Sequence, residues 1–478
     1  MTAENAALQT LGVVGQWIWG DDEEDVVFAQ AYGHERTLTF RLTRDTSNPA
    51  KSSLATRIVN GFHDVEVDDP QATFVERADM RRAIWNAVAQ VWDKCSQQAT
   101  VTDPDAIIDL LDADLANDSR RVTWRICHEP KFDDFIGLLL PVSKLSVGDA
   151  VQLVGFEELV LSQQLGGKGC ATLAHTASDP TTLLVFKGVD FRTFLHTYES
   201  GHVNEVVRSF YHSIELLNHM PPHPNILPPA QTLVTLANTH TRTPVVCGTL
   251  YPYLANGSIS DYIERSNQSG EEIPLLLKAQ WCHQMSSAVA HVHHEGHTYH
   301  MDLKPGNFLL DRDLNAVLID WEQDDAPIST AAPEIDGTWD VEEVTLDSRP
   351  LLRYTKYAGP ARRNTAATTP GTNGWNTWNV FPVWTRECPR AAELAEVFSL
   401  GRSMWMVLSE PTGATFEDIS SSDEVVVDWQ HGHGHNLPAA WIAVVNTCVD
   451  SDPNKRPSLA YLERFWESQY RQLRTPLA

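Results

Sequence analysis

The residues best suited to chemistry lie in one short run, His300-Met301-Asp302-Leu303-Lys304-Pro305-Gly306-Asn307. Asp320 follows 13 positions after Asn307, at the head of Asp320-Trp321-Glu322. A positioned carboxylate can accept a proton from a reacting hydroxyl. Carboxylate and amide oxygens are the hard donors that magnesium prefers, and a lysine ammonium is a compact point charge. Phosphoryl transfer calls for such a set, because it needs positioning and charge neutralisation more than covalent help. Taken singly, each Asp or Asn would read as a cap or turn former. The constellation at fixed spacing carries the argument.

Groups of this kind must be held by elements on either side. A helix-like stretch, Trp281 to His294, precedes the run, and apolar segments Phe308 to Leu310 and Ala316 to Ile319 follow it. Upstream, residues 151–187 read as three strands with a glycine turn, and a helix is expected over Asn204 to Met220. Helices dominate after Lys278. Residues 1–155 alternate strand-like and helix-like signals. Val26 to Ala31 and Thr37 to Arg44 have the alternation of strands, and Met80, Ile84, Val88 and Val91 fall at helical spacing. Asp103-Pro104 reads as the start of a helix carrying Ile107, Leu110 and Leu111. Further strands are expected at Val122 to His128 and Gly137 to Val142. This module shows no chemical motif, and its acidic run Asp21 to Asp25 reads as a solvated loop. Between Gly337 and Arg390 lies a long irregular insertion rich in Thr, Asn and Trp, including Trp375, Trp378 and Trp384.

Bulk properties narrow the partners. A formal charge of -27 would repel a nucleic-acid polyanion. The seven cysteines form no C-x-x-C pair, so reduced thiols in a reducing compartment are expected. The first residues, MTAENAALQT, lack the basic start and apolar core of a secretory signal, and no apolar run is long enough to span a bilayer. The expected setting is therefore cytoplasmic or nuclear, without membrane or nucleic acid. Two histidine clusters, His291, His293, His294, His297 and His431, His433, His435, invite a zinc reading. The first lies on or just after a helix and the second in a Gly-rich turn without Cys or carboxylate partners, which argues against it.

The motifs resemble those of eukaryotic protein kinases over about residues 155–470. His300 to Asn307 is similar to the catalytic loop H-R-D-x-x-x-x-N, and Asp320-Trp321-Glu322 to D-F-G. The resemblance implies that Asp302 accepts the substrate proton, Lys304 sits on the transferring phosphate, and Asn307 and Asp320 hold Mg2+. A lysine two residues after the Asp implies the Ser/Thr-specific variant. Thr181 to Lys187 resembles the strand presenting the ATP-clamping lysine, here Lys187. Gly166-Gly167-Lys168-Gly169 occupies the place of the glycine-rich loop. Leu250 to Ile259 resembles the hinge, with Tyr251 as gatekeeper and Leu254 as the backbone donor to adenine, since Pro252 cannot donate. Ala332-Pro333-Glu334 resembles A-P-E, with Arg456 as its ion-pair partner, and Glu396 to Gly401 resembles D-V-W-S-L-G with Glu for Asp. The Trp-rich insertion together with this last segment resembles a fungal group of kinase-like proteins.

The implied architecture is α+β: a bilobal protein kinase fold over residues 156–470, preceded by an α+β module over 1–155. The β-rich N-lobe would cover about 156–254 and the helical C-lobe about 255–470. The implied activity is transfer of the γ-phosphate of ATP to Ser or Thr hydroxyls of a protein substrate, with ATP and Mg2+ required. The chain departs from the family in four places. Met301 replaces the Arg that answers a phosphorylated activation loop, and Glu322 replaces the Gly of D-F-G. The activation segment from Asp320 to Glu334 is only 15 residues. In the helix expected to supply a glutamate to Lys187, apolar spacing puts Ser213 at that position, with Glu215 and Glu205 as alternatives. A second reading, a pseudokinase scaffold, rests on Ser213, Met301 and Glu322. A third, small-molecule phosphorylation, is disfavoured by Glu334 and Arg456. Thr365, after Arg362-Arg363-Asn364, is a candidate autophosphorylation site or an exposed loop threonine.

Overall fold

The computed structural model describes residues 6–21, 26–34, 36–44, 53–63, 73–74, 76–103, 105–111, 122–128, 131–148, 150–165, 171–198, 203–237, 243–323, 326–346, 349–359, 379–416, 419, 421–430 and 437–474. The chain is α+β and divides into two compact units. The first holds residues 1–210 and 230–253, the second 211–229 and 254–478. Among the described residues no helix is long and apolar enough to cross a membrane.

The first unit contains two sheets. After a short helix α1 (Ala6–Gln9), strands β1 (Val14–Asp21), β2 (Val26–Gly33) and β3 (Arg36–Thr43) form an antiparallel meander. Helix α2 (Leu54–Phe62) is capped by Ser53, whose hydroxyl accepts the Thr56 N–H at 2.9 Å. Helix α3 (Arg77–Cys95) buries Ile84, Val88, Val91 and Trp92 in a core shared with Phe40, Leu42 and Ile108. Strand β4 (Ala106–Leu111) then pairs parallel with β3, and β5 (Thr123–His128) antiparallel with β4.

Two expectations fail here. The segment carrying Ile107, Leu110 and Leu111 is strand β4 and not a helix. Residues Ile107 to Leu110 are buried in succession, as in a strand covered on both faces, and a short apolar run does not distinguish that from helical spacing. Asp103 accepts the Ala106 N–H and so turns the chain into the strand. Likewise Gly137 to Val142 is not a strand. Helix α4 (Phe132–Leu138), with Asp133 and Asp134 favourably placed in its first turn, ends inside it. The remaining residues only touch a strand edge, with the Val246 N–H bonded to Leu140 C=O.

The second sheet has four strands over the 151–187 region where three are expected: β6 (Gln152–Gly155), β7 (Leu159–Gln164), β8 (Ala171–Thr176) and β9 (Asp179–Gly188). Helices α5 (Phe191–Tyr198) and α6 (Val203–His219) follow, then β10 (Thr232–Ala237) and β11 (Pro244–Pro252). The order is β6-β10-β11-β9-β8-β7, antiparallel except for β6 with β10. Arg192, on α5 and nine-tenths buried, joins the two sheets. Its Nη1 donates to Gln30 Oε1 on β2 at 2.9 Å and to Gln164 Oε1 on β7 at 3.0 Å, and its Nη2 lies 3.3 Å from Asp190.

The second unit is mainly helical. Ser258 and Asp261 form a reciprocal capping box opening α7 (Ile259–Ser269), which Gly270 ends at φ 71°. Helix α8 (Leu275–His294) packs along the C-terminal helix. The hairpin β12 (Phe308–Leu310) and β13 (Ala316–Leu318) comes next. The region 337–390 is not wholly irregular. Strands β14 (Trp339–Leu346) and β15 (Arg349–Lys356) form a hairpin, and helix α9 (Phe381–Glu387) follows. Period-two alternation places Val341, Leu352 and Tyr354 against a cluster with Phe381 and Trp384. Residues 360–378, with Thr365, Trp375 and Trp378, lie outside the described residues. Helix α10 (Pro389–Ser409) is buried nearly all round, and α11 (Ala439–Cys448) and α12 (Leu459–Arg474) complete the unit. Its core joins Trp281, Met285, Leu400, Met404, Trp441 and Trp466.

Candidate active site in the second unit

The loop after α8 is fixed at both ends before it reaches Asp302. The His300 ring is fully buried, bonds Ile319 C=O through Nε2 at 2.8 Å, and stands edge-on to Trp321 at 4.8 Å. On the other side, Glu396 of α10 accepts the His300 N–H at 2.8 Å and the Met301 N–H at 2.5 Å on one carboxylate oxygen. Its second oxygen accepts His293 Nε2 at 2.6 Å. Burial works to raise the Glu396 carboxyl, but the His293 hydrogen bond and charge, the Met301 amide and His300 outweigh it. The group is held below the usual carboxylate range.

Asp302 follows at once. Its Oδ2 accepts Lys304 Nζ at 2.8 Å and Asn307 Nδ2 at 2.7 Å, and Asn307 Nδ2 also bonds the Asp302 carbonyl at 2.8 Å. Its Oδ1 is buried and accepts no hydrogen bond among the described residues. Leu303 C=O accepts Thr330 Oγ1 at 2.7 Å and Ser403 Oγ at 3.3 Å, so α10 and the segment before Glu334 also grip the loop. The Ile319 N–H bonds Asn307 C=O at 2.9 Å, tying the chain just before Asp320 to the end of the loop. The other edge of β13 is held by the turn after α6, where Asn225 Nδ2 bonds Ala316 C=O and the Leu227 N–H bonds Leu318 C=O.

The structure thus brings Asp302, Lys304 and Asn307 into direct contact, and sets Asp320 one residue beyond the Ile319 bond. Asp320 takes φ 71° and Gln323 φ 55°, whereas Glu322 stays out of the left-handed region. The backbone freedom of a glycine is not needed at Glu322. Met301 takes φ 75°, and its side chain is buried with Tyr299, Ala326, Ala331, Ala332 and Phe381. Asn379 Nδ2 approaches its sulfur at 3.3 Å.

The remaining expected residues lie elsewhere. In the first unit, Lys187 is half-buried on β9, in register with Thr249 of β11 and Ala171 of β8. Tyr251 faces Val185 across the same pair of strands, and Leu254 is the first residue of the longer stretch of the second unit. Gly166, Gly167, Lys168 and Gly169 lie outside the described residues, as do Asp22 to Asp25 and His431, His433 and His435. On α6, Ser213 is buried, Glu205 half-buried and Glu215 exposed, so Glu215 stands on the solvent side of its helix. Glu334 and Arg456 form the expected buried ion pair, bidentate, with Nη2 to Oε2 at 3.0 Å. Among the described residues, the first histidine cluster does not bring three ligand atoms together. His291 bonds Pro221 C=O at 2.8 Å and His293 bonds Glu396. Asp103, Asp105 and His128, whose ligand atoms lie within 4.8 Å of one another, form a partly exposed group on the first unit.

Sequence reasoning missed His293 and Thr330. Thr330 precedes Ala332-Pro333-Glu334 by two residues, a spacing that could have marked it. His293 was hidden among neighbouring histidines, and only the fold shows which of them faces Glu396.

Comparison with known proteins adds kinase names over short stretches. No family model matches the chain. The leucine-rich repeat receptor-like protein kinase PEPR2 of Arabidopsis thaliana is 33% identical over 88 residues, 17% of this chain and 8% of that protein. The wall-associated receptor kinase-like 14 of Arabidopsis thaliana is 34% identical over 74 residues, 15% of this chain and 10% of that protein. A serine/threonine-protein kinase/receptor of Acanthamoeba polyphaga mimivirus is 27% identical over 169 residues, 35% of this chain and 9% of that protein. The chain thus spans a tenth or less of the length of these curated relatives. The matches support a kinase-like relationship. They are to a plant and a virus and lend the fungal grouping no support.

Proposed function

We propose that the chain is a protein kinase that transfers the γ-phosphate of ATP to Ser or Thr hydroxyls of a protein substrate. In this reading the six-stranded sheet and the helical second unit are the two lobes of a kinase, and the N-terminal sheet is an added module. The observation that carries it is the asymmetric carboxylate of Asp302. One oxygen is loaded by Lys304 and Asn307, and the other is buried with no hydrogen bond among the described residues. A buried acceptor without a donor is costly unless something occupies it in function. A substrate hydroxyl would donate there and give up its proton to Asp302 as its oxygen bonds to phosphorus.

The donor set fits magnesium. Asn307 uses its amide nitrogen on Asp302, which leaves the amide oxygen for a cation, and Asp320 adds a carboxylate. Two hard oxygens from protein, without sulfur or imidazole, suit Mg2+ rather than Zn2+. When bound, Mg-ATP supplies the phosphoryl group and the departing ADP. The work of this chain is to orient the hydroxyl at Asp302, to place the Lys304 charge beside it, and to hold Asn307 and Asp320 together through the Ile319 N–H. The kinase resemblance gives Lys187 a role towards ATP as well.

One observation favours the scaffold alternative: Ser213 is buried where the kinase resemblance expects a glutamate, and Glu215 is exposed. The test is transfer of labelled γ-phosphate to the chain itself or a generic acceptor. Wild type should transfer it, and Asp302→Asn should lower the rate by about 10²–10⁴-fold. Equal rates in the two proteins would defeat the enzymatic reading. A rise in melting temperature with Mg-ATP but no transfer would leave the scaffold in its place.

A further inference from the structure

We propose that Ser422 is a phosphorylation site whose phosphate is received by Arg402, and that the modification frees the segment leading to Glu334. The inference goes beyond the kinase reading and does not need it. Arg402 lies on α10 and is only 5% exposed. Among the described residues its guanidinium makes five hydrogen bonds, all to neutral oxygens. Nη1 donates to Ser329 C=O and Ala331 C=O, both at 3.4 Å, and to Ser422 Oγ at 2.9 Å. Nη2 donates to Ser422 C=O at 2.8 Å and to Val425 C=O at 3.2 Å. Nε is buried and has no hydrogen bond among the described residues. Burial pulls the group down to about 10, and exposed Asp423 opposes this by charge without contact. Arg456 makes the contrast plain. Both guanidiniums lie over the Phe398 ring, at 4.7 and 4.8 Å, but Arg456 has the Glu334 carboxylate and Arg402 has no anion in contact among the described residues. A buried charge ordinarily has a counter-charge, and a bare buried donor calls for an explanation.

Of the residues that accept from Arg402, only Ser422 does so through its side chain, and a hydroxyl is the group that phosphorylation turns into a dianion. Ser422 is half-buried and opens a single 3-10 turn, Ser422–Glu424, between exposed Ser421, Asp423 and Glu424. The Ser421 side chain does not cap that turn, and its backbone bonds are long, at 3.2 and 3.3 Å. Local opening therefore presents the hydroxyl to a serine kinase. In the transfer, the γ-phosphorus of ATP bonds to Ser422 Oγ as its bond to the ADP oxygen breaks, and the hydroxyl proton passes to solvent. Two donors then leave Ala331. Ser422 Oγ now donates to Ala331 C=O at 2.6 Å, and the ester oxygen has no hydrogen to give. The Arg402 N–H groups, at 3.4 Å from the Ser329 and Ala331 carbonyls, turn to the stronger charge-assisted bonds of the phosphate. The segment before Glu334 loses its tie to α10 at this point.

The experiment uses the full chain with phosphoserine genetically encoded at position 422 or, as a control beside the same acidic residues, at 421. Phosphorus NMR follows the second ionisation of each phosphate, ordinarily near pH 6. At 422 it should lie about one pH unit below that at 421, a tenfold preference for the dianion. In Arg402→Gln, which keeps an N–H donor and drops the charge, the difference should vanish. Amide exchange at Thr330 and Ala331 should rise about tenfold with phosphate at 422 and stay unchanged with phosphate at 421. Phosphopeptide mapping of the unaltered chain made in a eukaryotic host should find Ser422 modified. Equal ionisation at the two positions, unchanged exchange at Thr330 and Ala331, or no phosphate on Ser422 would each overturn the inference. So would a chain that phosphoserine at 422 simply unfolds, as read by its melting curve.

Discussion

At Asp302 the two carboxylate oxygens have different surroundings, with Lys304 and Asn307 on one and neither on the other. Lys304 is part exposed, so its bond to Asp302 adds little stability. In the proposed reaction its worth would lie in charge near the reacting oxygens. Lys304→Met should therefore lower kcat by about 10²-fold while leaving the urea midpoint unchanged, read by steady-state kinetics and denaturation on the same samples. A second residue-scale effect concerns acid. Burial, with the charges of His291 and His283, lowers His223 from its ordinary value near 6.5 to about 4. Its ring lies 4.8 Å from that of His291 and bonds Ser287. The folded state binds fewer protons than the unfolded one between these values, so stability falls as pH drops from about 6.5 to about 4. His223→Gln should flatten that slope, measured by urea unfolding across the range. Eight contiguous residues held most of this site, which is why it was legible in the sequence. The buried Oδ1 of Asp302 was not, because burial belongs to the packed fold and no local window of sequence carries it.

At the scale of elements, ion pairs buried between helices and loops decide how well the pieces lock. Lys278 on α8 is fully buried against Glu410, 2.7 Å away just past the end of α10, and also donates to Leu408 C=O. Glu410 in turn accepts Ser266 Oγ and the Ile273 N–H. Lys278→Met strands a buried carboxylate and should cost about 3–5 kcal/mol in urea unfolding. Adding Glu410→Met should recover part of that loss, since an apolar pair leaves no charge uncompensated. Nothing in the residue pattern announced this pair. The Glu334–Arg456 pair was expected only because motifs 122 positions apart resembled known partners. Elements with a clear period, such as α3 and α6, were read correctly. Short apolar runs were not: β4 and the Gly137 to Val142 segment differ from their expected forms because pairing partners, absent from a local window, settled them. The β14–β15 hairpin was missed for a similar reason, its apolar face being only every second residue of two strands that carry many charges.

At the scale of the molecule, each unit has its own core, and Arg192 is a polar joint between the two sheets of the first. Arg192→Met would leave Asp190 without its cation and take a donor from buried Gln30 and half-buried Gln164. Amide exchange should rise in β2 and β7, which it connects, and stay unchanged in α8 of the second unit. Uniform change across both would show that the joint is not local. The charge of -27 should also make the whole fold firmer as salt rises and self-repulsion is screened. Met301, finally, lies among apolar side chains that include Ala326, Ala331 and Ala332 of the segment leading to Glu334. An ionic latch can be undone by a phosphatase, whereas a greasy one gives that enzyme nothing to remove. On the proposed reading, a covalent toggle would find no ionic partner at residue 301.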